Sequence, residues 1–226
     1  TDTEGYDSNV ATYALRANNK RSTFKGVIAL PGIIEAENFD KGGEESTFHD
    51  KDAVDQGNTG YRKDNEGLDI ISVNGGGYAV GNTLPNEWME YTVNVTDPGE
   101  YAYEAVVSST VTGSNFTIGL VNADGSITNL GKVTIPNTKN KNTYKVVTGN
   151  LGALLESGEQ ILRITINTAL GNIDKLTLKC TRSTGVNAVT IDGNQYDTPL
   201  YTPSGVQVDY SYKGIVIKNG KKFFQK

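Results

Sequence analysis

Reactive and metal-binding side chains are scarce in this chain. Its 226 residues include one cysteine, one histidine, one tryptophan and one methionine. A lone Cys180 excludes an internal disulfide and any zinc site built from several thiolates. The single imidazole, His49, has no G-x-S-x-G nucleophile elbow to serve. With Asp50 beside it, His49 reads as structural. Positive charge is not in excess either: 21 Lys and Arg stand against 26 Asp and Glu, a net charge of -5. That disfavours nucleic acid, whose phosphates select a basic surface, and suits a neutral ligand or a cation. No apolar run is long enough to span a bilayer. No signal peptide opens the chain, and Thr1 is not an initiator Met, so a mature form or a piece of a longer chain is expected.

What is plentiful is glycine and tyrosine, 26 and 12 residues, among many Asn and Thr. Such a composition suits an all-β chain with polar turns, and Tyr and Asn suit glycan-facing surfaces. Short strand patterns recur between turn signals, and no long helical period intervenes. Trp88–Val95 is the clearest strand: Met89, Tyr91, Val93 and Val95 alternate with Trp88, Glu90, Thr92 and Asn94. The apolar register places Trp88 on the face opposite the core, either open for binding or covered by another layer. Ile33–Glu37, Leu68–Val73, Tyr101–Ser108, Asn115–Val121, Ile127–Ile135, Tyr144–Thr148, Gln160–Asn167 and Ile173–Cys180 complete the strand pattern. Leu151–Ser157 reads as one helical turn ended by Gly158. The expected fold is an all-β jelly-roll β-sandwich with a small C-terminal β appendage. Residues 1–30 read as an extension or linker, 31–181 as the sandwich, and 182–226 as the appendage or a sorting-type tail. Its strand-like runs are Val186–Ile191, Val206–Tyr210 and Lys213–Lys218.

Glu35 and Glu37 lie two apart on the first predicted strand, so both carboxylates point to one face, roughly 6–7 Å apart. Three readings fit that spacing: a glycosidase acid/base pair, a hard-cation site, or a solvated pair.

The segments IIEAENFD, FHDKD, GNTGYR, EGLDI, GGYAVGN, NEWMEYTVNV and GNIDKLTL occur in this order. Together they resemble the family 6 carbohydrate-binding modules over about Pro31 to Thr181. The family consists of non-catalytic jelly-roll sandwiches attached to secreted polysaccharide-degrading enzymes. The tail, ending KGIVIKNGKK, is similar to a short C-terminal module of secreted glycan-degrading proteins of gut bacteria. The resemblance implies binding of poly- or oligosaccharide, a glycoside hydrolase domain or partner, and a secreted, periplasmic or cell-surface location. It also implies a structural Ca²⁺ held by Glu35, Glu37 and Asp174, pinning the first strand to the last.

The family's principal cleft sandwiches a sugar ring between two aromatic side chains. The first matching position holds Asn82, and the second holds Lys141, with Tyr144 beyond it expected in the core. Both rings are absent, which points to a charged or branched sugar aided by Lys141, or to loss of binding and a structural or protein-interaction role. Asn172 matches a cleft amide, and an amide suits vicinal hydroxyls because it both donates and accepts. To reach the cleft it should lie in the loop before the last strand. Tyr61, in a long polar loop, is the candidate replacement ring, with Arg62 and Asp69 as polar contacts. Trp88 matches a Trp that lines a second, face-on groove in some members and is partly covered in others.

Overall fold

The computed structural model describes residues 21–52, 54–63, 67–154, 156–168, 170–183, 199–218 and 221–226. The chain divides into two compact units, Thr1–Ser183 and Thr184–Lys226.

The first unit is a two-sheet sandwich. Its strands are β1 (Ile28–Leu30), β2 (Gly32–Glu35), β3 (Phe48–His49), β4 (Ile70–Ser72), β5 (Tyr78–Val80) and β6 (Trp88–Val95), followed by β7 (Gly99–Ser109), β8 (Asn115–Val121), β9 (Ile127–Thr134), β10 (Lys145–Leu154), β11 (Gly158–Thr168) and β12 (Gly171–Ser183). One sheet has the order β1-β6-β11-β8-β9, with β3 also pairing β6; the other runs β10-β7-β12-β5-β4, with β2 also pairing β12. β1 pairs with β6 in parallel fashion, laying Ile28–Leu30 beside Val93–Val95. The sandwich therefore begins before Pro31, ahead of the expected boundary. Three residues next to a proline carry no alternation from which that pairing could be read.

The core lies where the alternating positions of the two sheets meet. Met89, Tyr91, Val93 and Val95 of β6 are fully buried together with Tyr101, Ala105 and Val107 of β7 and Leu162, Ile164 and Ile166 of β11. Each such large apolar side chain contributes roughly 1.5–3 kcal/mol by leaving water. The buried Tyr91 hydroxyl donates to the Ala36 carbonyl at 2.7 Å, so its polar end is satisfied.

Two expectations of local structure need correction. Glu35 ends β2, and Glu37 lies in the 3-10 turn Ala36–Asn38, so the two carboxylates do not share a strand face. The strand is cut short because Ala36 turns inward to become a core residue, 0% exposed. Leu151–Ser157 is not a helical turn: β10 continues to Leu154, paired with Gly99 of β7 across an irregularity between Asn150 and Ala153. That irregularity disturbs the strand period, so LGALLE mimics a helical repeat.

The second unit carries a four-stranded sheet in the order β14-β13-β15-β16. Its strands are β13 (Leu200–Tyr201), β14 (Gln207–Val208), β15 (Gly214–Lys218) and β16 (Lys221–Gln225). Leu200 and Val216 are its fully buried apolar side chains among the described residues. The strand expected at Val186–Ile191 lies outside the described residues, as does the extension before Arg21. Among the described residues no helix is long and apolar enough to cross a membrane.

Candidate functional site

The loop between β5 and β6 meets the start of β12 at one end of the sandwich. Asn82 adopts φ +50° there, a left-handed conformation that asparagine tolerates and an aromatic residue does not favour. The turn therefore gives a physical reason for Asn in place of a stacking ring. The Asn82 backbone N–H points to Asn172 Oδ1 at 3.4 Å. Asn172 Nδ2 donates to Ser108 Oγ at 3.2 Å and to the Lys141 carbonyl at 3.1 Å. Ser108 Oγ donates to the same carbonyl at 2.5 Å. One buried amide thus joins three chain segments far apart in sequence.

Asn172 is the second residue of β12 rather than a loop residue. A register shift between Ile173 and Lys175 makes Asp174 the extra residue of a bulge against β7. That shift separates the directions of Asn172 and Asp174, which a regular strand would have pointed the same way.

Asp69 and Tyr144 join the same cluster. Asp69 accepts the backbone N–H of Gln56, and the nearby Asn82 side chain favours its charged form. Burial raises its carboxyl above the ordinary range, and Asp52 and Asp55 add to the rise. Tyr144 is half-buried outside the core cluster, correcting its expected place in the core. Burial pushes its hydroxyl up to about 12, a rise that the nearby Ser108 and Asn172 side chains oppose. Lys141 itself is exposed.

Tyr61 lies elsewhere. Its ring stacks on Tyr78, centroids 4.2 Å apart, and meets the edge of Phe24 at 5.6 Å. Its hydroxyl donates to Asn38 Oδ1 at 2.8 Å. The ring is half-buried against the core rather than standing free in its loop. Arg62 is buried too, donating to the Phe39 carbonyl at 2.6 Å with its guanidinium 3.9 Å from the Phe39 ring centre.

Trp88 is covered, with 7% of its surface exposed. The Arg163 guanidinium lies 3.9 Å from its ring centre, a cation–π contact. Arg163 also donates through Nε to Glu90 at 2.7 Å. Arg21 pairs with Glu90 as well, and with Asp40 at 2.9 Å. An open pocket of about 400 Å³ on this face is lined by Arg21, Ser22, Thr92, Glu159, Gln160 and Ile161, among others, with no aromatic side chain.

The carboxylates of Glu35, Glu37 and Asp174 interact electrostatically around the start of the 3-10 turn. Burial, with Glu35 and Asp174 adding to it, pushes Glu37 up to about 7. Burial likewise raises Glu35 and Asp174, opposed in both by Lys175. Glu37 Oε2 is buried without a hydrogen-bond partner. A buried carboxylate oxygen with no donor, within electrostatic reach of two more carboxylates, suits a hard cation with oxygen ligands, although the three carboxylates do not all lie within 4.8 Å of one another here. Lys175 Nζ stands 4.0 Å from Glu35 Oε1 and competes for that oxygen.

A family model for the carbohydrate binding module (family 6) matches residues 60–180. The chain belongs to that family. Family 6 modules are non-catalytic, and solved members share this sandwich. A module from Clostridium stercorarium in complex with cellobiose is 19% identical, with a TM-score of 0.51, covering 69% of this chain and 98% of its own. The module of lichenase 5A from Cellvibrio mixtus, in complex with cellotriose, is 22% identical over 66% of this chain and 97% of its own, with a TM-score of 0.49. A β-1,3-glucan-binding family 6 module from Bacillus halodurans is 19% identical over 69% and 100%, also with a TM-score of 0.49. No curated protein sequence matches the chain.

Proposed function

We propose that this family 6 module binds a poly- or oligosaccharide at the loop end through Asp69, Asn82, Lys141, Tyr144 and Asn172. The observation that carries this is the convergence of Asn82, Lys141 and Asn172 around one buried amide, with the half-exposed Tyr144 ring beside it. Vicinal hydroxyls need paired donors and acceptors; the partly exposed Asn82, Lys141 and Tyr144 side chains bring both, and the buried Asn172 amide holds their loops together. Tyr144 takes the part of a sugar-contacting ring that positions 82 and 141 lack. A single ring contact is worth about 0.5–1.5 kcal/mol beyond burial, so affinity should be modest. Tyr61 serves the Tyr78 stack, and Trp88 serves the outer face of β6 under Arg163.

Glu35, Glu37 and Asp174 would hold a structural Ca²⁺, which would supply charge neutralisation and tie β2 to β12. A chelator that leaves the melting temperature unchanged would count against the cation. The module would deliver an attached or partner glycoside hydrolase to its glycan outside the cytoplasm, whether secreted, periplasmic or on the cell surface.

Calorimetry with cello- and β-1,3-gluco-oligosaccharides, alongside a glycan array, tests the reading. Binding should weaken at least tenfold in Asn172→Ala and Tyr144→Ala. Binding indifferent to both substitutions would move the site elsewhere. A second reading, a protein-interaction sandwich with a degenerate sugar site, draws support from Asn172, whose amide is already engaged on both its oxygen and its nitrogen. An array negative for every glycan, with capture of a hydrolase partner, would favour that reading.

A further inference from the structure

We propose that Glu44, Glu45 and His49 form a binding site for a borderline divalent transition-metal ion, zinc in particular, distinct from the Glu35–Glu37–Asp174 carboxylates. Among the described residues they are the group whose ligand atoms all lie within 4.8 Å of one another. His49 Nδ1 contacts Glu44 Oε1 and lies 3.0 Å from Glu45 Oε1.

Backbone contacts from outside the three side chains hold two of them in place. His49 belongs to β3 and is paired with Trp88 of β6. The Asp50 backbone N–H reaches both oxygens of the Glu44 carboxylate, at 3.1 and 3.3 Å. The intervening turn is closed by Glu45 N–H to the Phe48 carbonyl at 2.7 Å, and by Ser46 and Thr47 N–H to the Gly43 carbonyl at 3.1 Å.

The donor set decides the ion. Imidazole nitrogen and carboxylate oxygen are both zinc ligand types, and the nitrogen disfavours calcium and magnesium, which take oxygen almost exclusively. A neutral, ligating imidazole leaves both carboxylate charges in place, and a dication would cancel them. The three side chains are 29%, 39% and 66% exposed for His49, Glu44 and Glu45. The ion would therefore keep water in its remaining positions.

The test uses the full chain, stripped of metal and held in saturating Ca²⁺ so that any hard-oxygen site is occupied. Zinc chloride is titrated by calorimetry and by NMR of the imidazole, which has one ring to report because His49 is the only histidine. One zinc ion per chain with a shifted His49 ring resonance is expected. His49→Gln and the surface substitution Glu45→Gln should each weaken binding at least tenfold. No zinc uptake, an unmoved ring resonance, or unchanged affinity in both variants would overturn the site.

Discussion

The outer face of β6 and the loop that leads into it are both rich in polar side chains, yet they are built differently. On the outer face, Glu90 is 1% exposed and bound by two arginines, one of which covers Trp88. Full charges satisfy full charges there, and the one tryptophan of the chain is spent on packing. At the loop end the links are mostly neutral amide and hydroxyl bonds, and Asn82, Tyr144 and Lys141 keep open surface. A ring that looks available by type is closed, and one that looks like core is open. Availability depends on what covers a side chain rather than on its identity.

Breaking the outer face should have the largest effect. Glu90→Ala leaves Arg163 without its carboxylate and Arg21 with Asp40 alone, and should cost about 3–5 kcal/mol in urea unfolding, as for other buried pairs that lose one partner. Glycan affinity should change little in the fraction that stays folded. A loss under 1 kcal/mol would mean the face is not closed by charge.

Glu87 joins the two regions, since it precedes Trp88 and accepts the Leu84 N–H at 2.8 Å. Burial pushes its carboxyl up to about 7, with Asp50 and Asp52 contributing. Below the unfolded value near 4.5 both states hold the proton and Glu87 costs nothing. As pH rises to about 7 the unfolded chain ionises first, so stability falls, and above that the full penalty applies. Glu87→Gln should therefore match the parent at pH 4 and exceed it at pH 8, by at most about 3 kcal/mol. Equal melting temperatures at both pH values would show that Glu87 does not carry this load.

At the loop end the effects are smaller and fall on binding. Tyr144→Ala should lower glycan affinity about tenfold, or about 1.4 kcal/mol, whereas Trp88→Phe should leave it within twofold. Reversal of that order in calorimetry would exchange the roles assigned to the two regions. Asn82→Tyr should cost stability by about 1 kcal/mol because of its left-handed backbone. It should also fail to raise affinity, and a large gain in calorimetry would show that the turn can accept a ring.

Much of this organisation was legible in the residues themselves. The ordered motifs pointed to family 6, and the alternation from Met89 to Val95 named the core face of β6. The positions that were misread share a cause. Glu37 leaves the strand because Ala36 is drawn inward, and Tyr144 lies outside the core, half-buried in the loop before β10 beside Ser108 and Asn172. Ile28–Leu30 pairs with a strand more than sixty residues away, which no local period announces.

The sequence by itself determined the all-β class, the sandwich and the side of each long strand that faces inward, because strand alternation is a local property with a period of two. Only the tertiary structure decided which outward residues are covered. Arg163 reaches Trp88, and Arg21 reaches Glu90, because β11 lies beside β6 and the chain before β1 passes over the same face. The bulge at Asp174 sends that carboxylate toward Glu37 while Asn172 stays with the loop end. Contacts between residues distant in sequence depend on register and bulges, and those are set by the packing of the two sheets as a whole.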